Sequence, residues 1–390
     1  MTELIRKHLE DQPLNYGHGK ISAFIAISLG LLGCLTAFCF LFPNLLTMPE
    51  LRTVYNPLLI KILLFAGIAI GFIAGVCSVF RNPNRMWGLS GIFLNTCAAL
   101  LASGQIEGNP YAPRNMYAGL DYFILTLLVL ALVFIPMERM FAKYHQQKIL
   151  RKGWVTDLKY FMFSHLGIQL LAFFTIIPAQ VLFNQWINPQ LHQMVSSQPL
   201  ALQFIEILLV VDFFSYWIHR SMHKVPRLWR IHAVHHSSLQ MDWLASSRVH
   251  VAELIMNRFV GYIPLLFLGF APAATYAYLI FISFHAIFIH ANVRFRFPYL
   301  RWMLATPEFH HWHHSSEDEA LDKNFAAFLP IYDVIFKTAY MPSHLPQRYG
   351  TTPGTKVPEG FVDQLVYPFK KRKKKKAPAT LPHPPSSPQS

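Results

Sequence analysis

The chain has 390 residues, of which 53% are hydrophobic and only 14% charged, with a formal net charge of +14. This composition, with a mean hydropathy of +0.31, excludes an ordinary soluble domain and is typical of an integral membrane protein. The four cysteines lie in apolar stretches without CxxC spacing, which argues against a disulfide framework or a thiolate metal site.

Apolar windows close to the length that crosses a bilayer recur along the chain. They predict an all-α membrane protein with about eight transmembrane or membrane-embedded helices. The last two windows are short and joined at 269–272, so they could form a hairpin that enters the membrane without crossing it. The windows lie at 21–43, 58–80, 86–104, 119–137, 160–183, 200–218, 255–270 and 273–289.

The basic residues of the short loops predict the orientation. The loop after the fourth window is rich in lysine and arginine, whereas the segment 184–199 has neither. Since basic loops stay in the cytoplasm, we expect a multi-pass protein with both termini on the cytoplasmic side. The basic residues of the loop after the fourth window are Arg139, Lys143, Lys148, Arg151, Lys152 and Lys159.

Histidines are concentrated in one part of the chain. Twelve of the nineteen lie between His219 and His314, all on the predicted cytoplasmic side. Eight of them follow an HxxxH or HxxHH spacing, which brings imidazoles together on a helix face and can hold a metal ion. These eight predicted ligands are His219, His223, His232, His235, His236, His310, His313 and His314.

Four further histidines fall in the same region. His290, at the end of the last apolar window, is the expected ninth ligand. His285 is a ligand, a hydrogen-bonded core residue or part of a substrate cavity wall. His250 is a ligand or a partner of Glu253, and His311, outside the HxxHH pattern, is expected to contact ligands from behind or to face solvent.

Asp212 lies two helical turns before His219 on the same predicted helix face. A carboxylate there could accept the outer ring N–H of a ligand histidine and fix its tautomer. An ion pair with Arg220 or an interfacial lysine is the alternative.

The number of histidines indicates two metal ions, because a structural zinc takes four protein ligands and a catalytic zinc three. Imidazole alone does not select the metal. A site facing a bilayer suggests a lipid substrate, and attack on an unactivated C–H bond needs redox chemistry that zinc lacks, which favours iron with O2. A histidine-rich metal transporter and a dizinc hydrolase with Glu253 or Glu308 as base are the alternatives.

Several segments together resemble the fatty acid hydroxylase superfamily, also called the sterol desaturase family. They are H-R-S-M-H at 219, H-A-V-H-H-S-S at 232, the F-x-x-H-A-N-V segment at His290 and T-P-E-F-H-H-W-H-H at 306. The resemblance runs from about Pro136 to Tyr340. It implies a non-haem di-iron enzyme that uses O2 and two electrons to hydroxylate or desaturate lipids, with the nine histidines as ligands under a cytoplasmic helical cap.

The chain also departs from the family pattern. H285-x-x-x-x-H290 is wider than the paired HxxxH of some members, and Val251 stands where a proline is frequent. No motif of a fused cytochrome b5 domain is present, so electrons would come from NAD(P)H through a separate reductase, or from a ferredoxin or cytochrome b5. The lipid stays open between sterol, fatty acyl and related classes, as does hydroxylation against desaturation.

Three regions are predicted along the chain. Residues 1–135 form a four-span membrane module of unknown role, and residues 136–345 the hydroxylase-like catalytic domain. Residues 346–390 are basic and rich in proline and serine, which predicts a disordered tail. The run KKRKKKK at 370–376 favours anionic lipid headgroups over nucleic acid as a partner.

Overall fold

The computed structural model describes residues 19–48, 56–103, 117–352 and 354–370. Within these ranges the protein is all-helical, and its only extended pairings are the isolated bridges Ala142↔Val293 and Ser315↔Tyr349. The predicted all-α class is confirmed.

The helices are numbered in chain order, and all eight apolar windows are helical. The N-terminal helices are α1 (Lys20–Leu41), α2 (Pro43–Leu46), α3 (Pro57–Arg81), α4 (Arg85–Ala102) and α5 (Leu120–Met140). The middle helices are α6 (Trp154–Leu166), α7 (Ile168–Phe183), α8 (Pro189–Ser196), α9 (Leu200–Lys224) and α10 (Pro226–His232). The C-terminal helices are α11 (Val251–Leu268), α12 (Pro272–Phe288), α13 (Pro307–His313), α14 (Ile331–Ile335) and α15 (Phe361–Val366).

Fewer helices than expected qualify as membrane spans. Five are long and apolar enough, namely α1, α3, α5, α9 and α11, and a sixth span results if the bent pair α6 and α7 is counted as one. The number of candidate spans is below the expected eight for two reasons. Helix α12 has only 17 residues, and α4, with 18 residues, contains the polar residues Asn95 and Thr96. The described residues therefore contain five or six candidate spans, and the side on which each loop lies stays a prediction.

Helices α1, α3 and α4 form a closely packed bundle. The fully buried Asn95 donates from Nδ2 to the carbonyls of Ala26 and Gly91, each at 2.8 Å. A Cβ at Gly71 would lie 2.3 Å from Asn95 Oδ1, so glycine is required where α3 crosses α4. Small residues thus allow three apolar helices to approach closely, as in other membrane bundles.

Helix α5 contacts the histidine-bearing segments directly. Its Phe134 is fully buried and stacks on Trp243 with ring centroids 6.4 Å apart. Near its C-terminal end, Glu138 accepts from the backbone N–H groups of Trp243 (2.7 Å) and Asn292 (2.9 Å). The Glu138 carboxylate therefore connects the segment at Trp243 to the segment at Asn292, which follows His290.

Residues 354–370, here called the C-terminal strap, are folded against the same region. Phe361 packs edge-on against Tyr160 of α6 at 4.7 Å, and the fully buried Gln364 donates to Pro358 O at 2.8 Å. Arg230 Nη2 donates to Tyr367 O at 2.7 Å. The expected disorder from residue 346 is therefore wrong as far as residue 370, because these contacts give the segment buried partners that composition does not reveal. Residues 371–390 lie outside the described ranges.

Candidate metal centre

The nine histidines predicted as ligands meet in two adjoining groups, each with ligand atoms within 4.8 Å of one another. Rings from the two groups touch, since His236 and His314 stack with centroids 4.5 Å apart. The five-histidine cluster consists of His219, His223, His232, His236 and His313. The four-histidine cluster consists of His235, His290, His310 and His314.

Each HxxHH box contributes to both clusters. The first box gives its residues four apart, His232 and His236, to the five-histidine cluster and His235 to the other. The second box does the reverse, giving its pair four apart to the four-histidine cluster and His313 to the five-histidine cluster. The second box lies on α13 and its C-cap, where His310 and His314 are one helical turn apart. In the first box α10 ends at His232, and the turn that follows brings His236 beside His232.

Five of the nine imidazoles direct Nδ1 outward to an oxygen acceptor. Nδ1 must then carry the ring proton, so in the neutral imidazole Nε2 is the unprotonated atom. The contacts are His219 to Phe325 O (2.7 Å), His232 to Glu253 Oε1 (2.8 Å), His235 to Arg248 O (3.0 Å), His290 to Ala286 O (2.6 Å) and His313 to Lys323 O (2.9 Å).

The Nε2 atoms converge inside each cluster. Lone pairs that face one another at such distances repel unless a cation lies between them. For a metal–imidazole bond of about 2.1 Å, ligands at right angles have nitrogens about 3.0 Å apart and tetrahedral ligands about 3.4 Å. The observed Nε2–Nε2 distances fit the former: His219–His232 3.0 Å, His232–His236 3.1 Å, His236–His313 3.0 Å, His235–His290 3.2 Å, His290–His310 3.1 Å and His310–His314 3.1 Å.

Burial keeps these imidazoles neutral, which is the form that binds metal. Desolvation lowers the pKa of His232 to about 3 and that of His235 to about 4. The pKa values of His290 and His310 are likewise lowered well below their usual range, first by desolvation and then by neighbouring imidazoles. The residues present therefore fit two histidine-bound metal ions.

Asp212 does not contact a histidine within the described part of the chain. Its buried carboxylate accepts from three successive backbone N–H groups, those of Ala327 (3.0 Å), Phe328 (3.1 Å) and Leu329 (2.7 Å). The expected role in orienting a ligand is wrong, because the carboxylate is already used to hold this loop. Glu253 occupies that role instead, through His232.

The three histidines of uncertain role stay outside both clusters. His250 caps α11 by accepting from Ala252 N (3.1 Å), and its Nε2 donates to Leu365 O of the strap (3.0 Å). His285 Nε2 donates to Ala305 O at 2.8 Å.

His311 joins two segments behind the four-histidine cluster. Its Nε2 donates to Ala291 O (3.1 Å), beside His290, and its Nδ1 accepts from Tyr349 Oη (2.7 Å). Lys143 Nζ also donates to Tyr349 Oη (2.6 Å). His311 is thus buried and bonded to the backbone next to His290, and its role towards the ligands stays a prediction.

The loop 322–326 supplies two of the carbonyl acceptors. Asn324, at φ 58°, donates from Nδ2 to Phe309 O (2.9 Å) and Tyr340 O (2.7 Å). Asp333 accepts from the N–H groups of Phe325 (2.8 Å) and Ala326 (2.7 Å). Asparagine tolerates the left-handed region better than most residues, so residue 324 can hold this loop conformation while its side chain bonds two carbonyls.

A buried ion network missed by sequence reasoning supports the carbonyl that faces His235. Arg151 pairs with Asp157 and with Asp242, each at 2.7 Å, and Asp157 also binds the side chain of Arg248. The backbone carbonyl of Arg248 accepts from His235. Nothing in the sequence indicates that these four side chains meet, because they come from the loop before α6, from α6 itself and from the two ends of the short helix at 243–247.

Comparison with known proteins yields one family match, to fatty acid hydroxylase over residues 204–338. Ornithine lipid hydroxylase OlsE of Rhizobium tropici is 28% identical over 76% of this chain and 89% of its own length. Human alkylglycerol monooxygenase is 34% identical over 39% of this chain, but only 34% of its own length is covered. A rice very-long-chain aldehyde decarbonylase, GL1-5, is 32% identical over 33% of this chain and 22% of its own length. No solved structure matches the chain significantly.

Proposed function

Because residues 204–338 belong to the fatty acid hydroxylase family of lipid-oxidising oxidoreductases, we propose that the protein is an O2-dependent lipid hydroxylase with a histidine-bound di-iron centre. The observation that carries the proposal is the convergence of unprotonated Nε2 atoms in two adjoining clusters. Iron supplies the redox chemistry with O2 that cleavage of an unactivated C–H bond needs.

Each of the two clusters would bind one metal ion. The outward Nδ1 contacts fix the tautomer and direction of each ring, as Phe325 O does for His219. Burial keeps the rings neutral and excludes bulk water from the site. His235 and His236, adjacent in the chain but in different clusters, keep the two ions close together.

The substrate reaches the site from the bilayer. Helix α9 runs from an apolar segment into His219 and His223, and α12 ends two residues before His290. Both helices thus join the membrane region to a ligand. With the histidine boxes on the cytoplasmic side, the centre would lie at the cytoplasmic end of these helices and receive electrons from a soluble donor.

A polar membrane lipid is the substrate class we favour. The alignment with ornithine lipid hydroxylase covers 308 residues, well beyond the family region of 204–338, so it includes membrane helices outside the metal centre. Hydroxylation is favoured over desaturation because both this relative and alkylglycerol monooxygenase are named for oxygen insertion.

The dizinc hydrolase alternative gains no support. Of its two candidate bases, Glu253 is bonded through Oε1 to His232 at 2.8 Å. Glu308 lies 3.9 Å from Arg301 Nη2 and belongs to neither histidine cluster. The nitrogen separations near 3.0 Å also fit ions with more than four ligands better than tetrahedral zinc.

The test is metal analysis combined with product analysis. Protein purified without chelators should contain about two irons per chain, and lipid extracts incubated with isotopically heavy O2 should yield a hydroxylated lipid that carries the label. The exposed His145→Ala variant is the matched control and should behave as wild type. Less than about one iron per chain, or a desaturated product without label, would contradict the proposal in its metal or in its reaction.

A further inference from the structure

One side of the five-histidine cluster lies just beneath the protein surface. The ring of Trp229, which is partly exposed, lies 5.0 Å from that of His223 and 5.4 Å from that of His236. Trp229 Nε1 donates to Thr355 Oγ1 of the strap (3.3 Å), which fixes the indole in place. A single aromatic ring therefore separates two cluster histidines from the surface.

The surface around Trp229 is basic. The turn between α9 and α10 exposes Lys224, Val225 and Arg227, with the Lys224 side chain 54% exposed. Arg230, the residue after Trp229, donates to the carbonyl of Lys370 at 2.6 Å, which places the first residue of the basic run next to α10.

Acidic groups on this face do not cancel the charge. Asp322 is bonded to Lys224 at 2.6 Å, Glu359 to Lys152 at 2.8 Å, and Asp363 lies 3.6 Å from Lys370. Each carboxylate is paired with a lysine. Arg227 and Arg230 have no carboxylate partner among the described residues and supply the surplus of positive charge.

We propose that this surface, formed by Lys224, Val225, Arg227, Trp229 and the start of the basic run, docks an acidic soluble protein that carries single electrons. The inference rests on the proposed function, since reduction of a di-iron centre by a separate protein needs a docking surface close to the metal ligands. Basic and acidic surfaces accelerate encounter, and Val225, 43% exposed, adds an apolar contact next to the indole.

The electron balance fits two successive encounters. In each, the carrier is oxidised by one electron and the metal centre behind Trp229 is reduced by one. Two electrons, two protons from water, O2 and the lipid C–H bond give one C–OH bond and one water molecule. The carrier could thus be a small iron–sulfur or haem protein, which releases one electron at a time.

Binding can be measured without turnover. The probe is an oxidised, acidic [2Fe–2S] ferredoxin, added to the full-length protein in neutral phosphatidylcholine nanodiscs. Arg227→Glu should weaken binding about tenfold at low salt, and high salt should weaken wild-type binding. Glutamate is compatible with this position because residue 227 is in the first turn of α10, so folding and iron content should be kept.

Lys148→Glu is the matched charge reversal, since Lys148 is exposed outside the proposed surface, and it should bind as wild type. Equal binding by Arg227→Glu and wild type would overturn the proposal, as would an equal loss in Lys148→Glu. Loss of ferredoxin binding in anionic nanodiscs would show instead that lipid headgroups occupy the surface. Because the assay needs neither iron nor substrate, its failure is distinct from failure of the hydroxylase proposal.

Discussion

The two histidine clusters are built from the same boxes but in different surroundings. The five-histidine cluster contacts two carboxylates, since Glu253 accepts from His232 and Asp322 lies 3.5 Å from His223 Nδ1. In the four-histidine cluster the outward contacts of His235 and His290 go to backbone carbonyls, and the buried Nδ1 atoms of His310 and His314 have no hydrogen-bond partner.

This difference teaches that ligand spacing and ligand environment are separate properties. A carboxylate behind an imidazole raises its basicity and places negative charge near a cation. The five-histidine cluster has more ligands and such charge, so we expect it to hold its ion more tightly. The four-histidine cluster should hold the more readily exchanged ion.

The largest effect should come from replacing adjacent histidines of different clusters. His235→Ala and His236→Ala should each lower lipid oxidation by about a thousandfold or more, because both ions are needed. Each variant should retain about one iron per chain, but from opposite clusters, and iron spectroscopy should give two different signals. Identical spectra would show that the clusters do not bind separate ions, and His145→Ala should match wild type.

Glu253→Gln should weaken metal binding more at the five-histidine cluster than at the four-histidine cluster. An amide cannot supply the charge of the carboxylate that accepts from His232, and loss of such a partner typically costs 10 to 100-fold in metal affinity, by rough precedent. Iron titration at limiting metal should detect the larger loss at the five-histidine cluster. Glu206→Gln is the control, because Glu206 contacts Gln198 and no histidine of either cluster. Equal weakening of both clusters would refute a role specific to His232.

Asp212→Asn should affect stability without distinguishing the clusters. Asp212 accepts three backbone N–H groups and touches neither cluster. An amide retains only one acceptor oxygen, and an unsatisfied buried N–H costs about 1–3 kcal/mol, so the thermal midpoint should fall. The iron-to-protein ratio of the folded fraction should stay at the wild-type value. A selective loss of one ion would mean that Asp212 supports a ligand after all.

The smallest expected difference between the two clusters is in their response to acid. His232 and His235 have folded pKa values of about 3 and 4, below the unfolded value of about 6.5. The unfolded chain therefore binds more protons as pH falls below about 6.5, and the stability of the metal-free protein is lost progressively from there towards pH 4.

Metal release over the same range should begin at the four-histidine cluster. Protons compete for the same nitrogens in both clusters, but only the five-histidine cluster has carboxylate contacts. Chelator extraction at stepped pH measures the order of release. The spectra of the His235→Ala and His236→Ala variants identify which signal belongs to which cluster. Release from the five-histidine cluster first would reverse the comparison.

Much of the metal centre follows from sequence because its ligands are local. Residues four apart share a helix face whatever the tertiary fold, so the pairs His219 with His223 and His232 with His236 could be identified from spacing. The family resemblance is confirmed by the match over residues 204–338.

Long-range contacts could not be predicted in the same way. Glu253 lies 21 residues from His232 along the chain, whereas proximity in sequence suggests only His250 as its partner. Asp212 has suitable helical spacing, but its carboxylate accepts hydrogen bonds from the backbone N–H groups of 327–329 and not from a histidine. The strap was missed because its composition is that of a disordered segment, whereas its order depends on buried contacts such as that of Gln364.

The strap also determines how early the metal centre can reach its final structure during translation. His250 is bonded to Leu365, and Trp229 to Thr355. These contacts beside the ligands can form only after residues well beyond His314 have been translated. A ribosome-bound chain that already contains every ligand still lacks these contacts. Iron insertion should therefore follow translation of the whole folded region, and a nascent chain that stops before residue 354 would expose incomplete clusters to other metals in the cell.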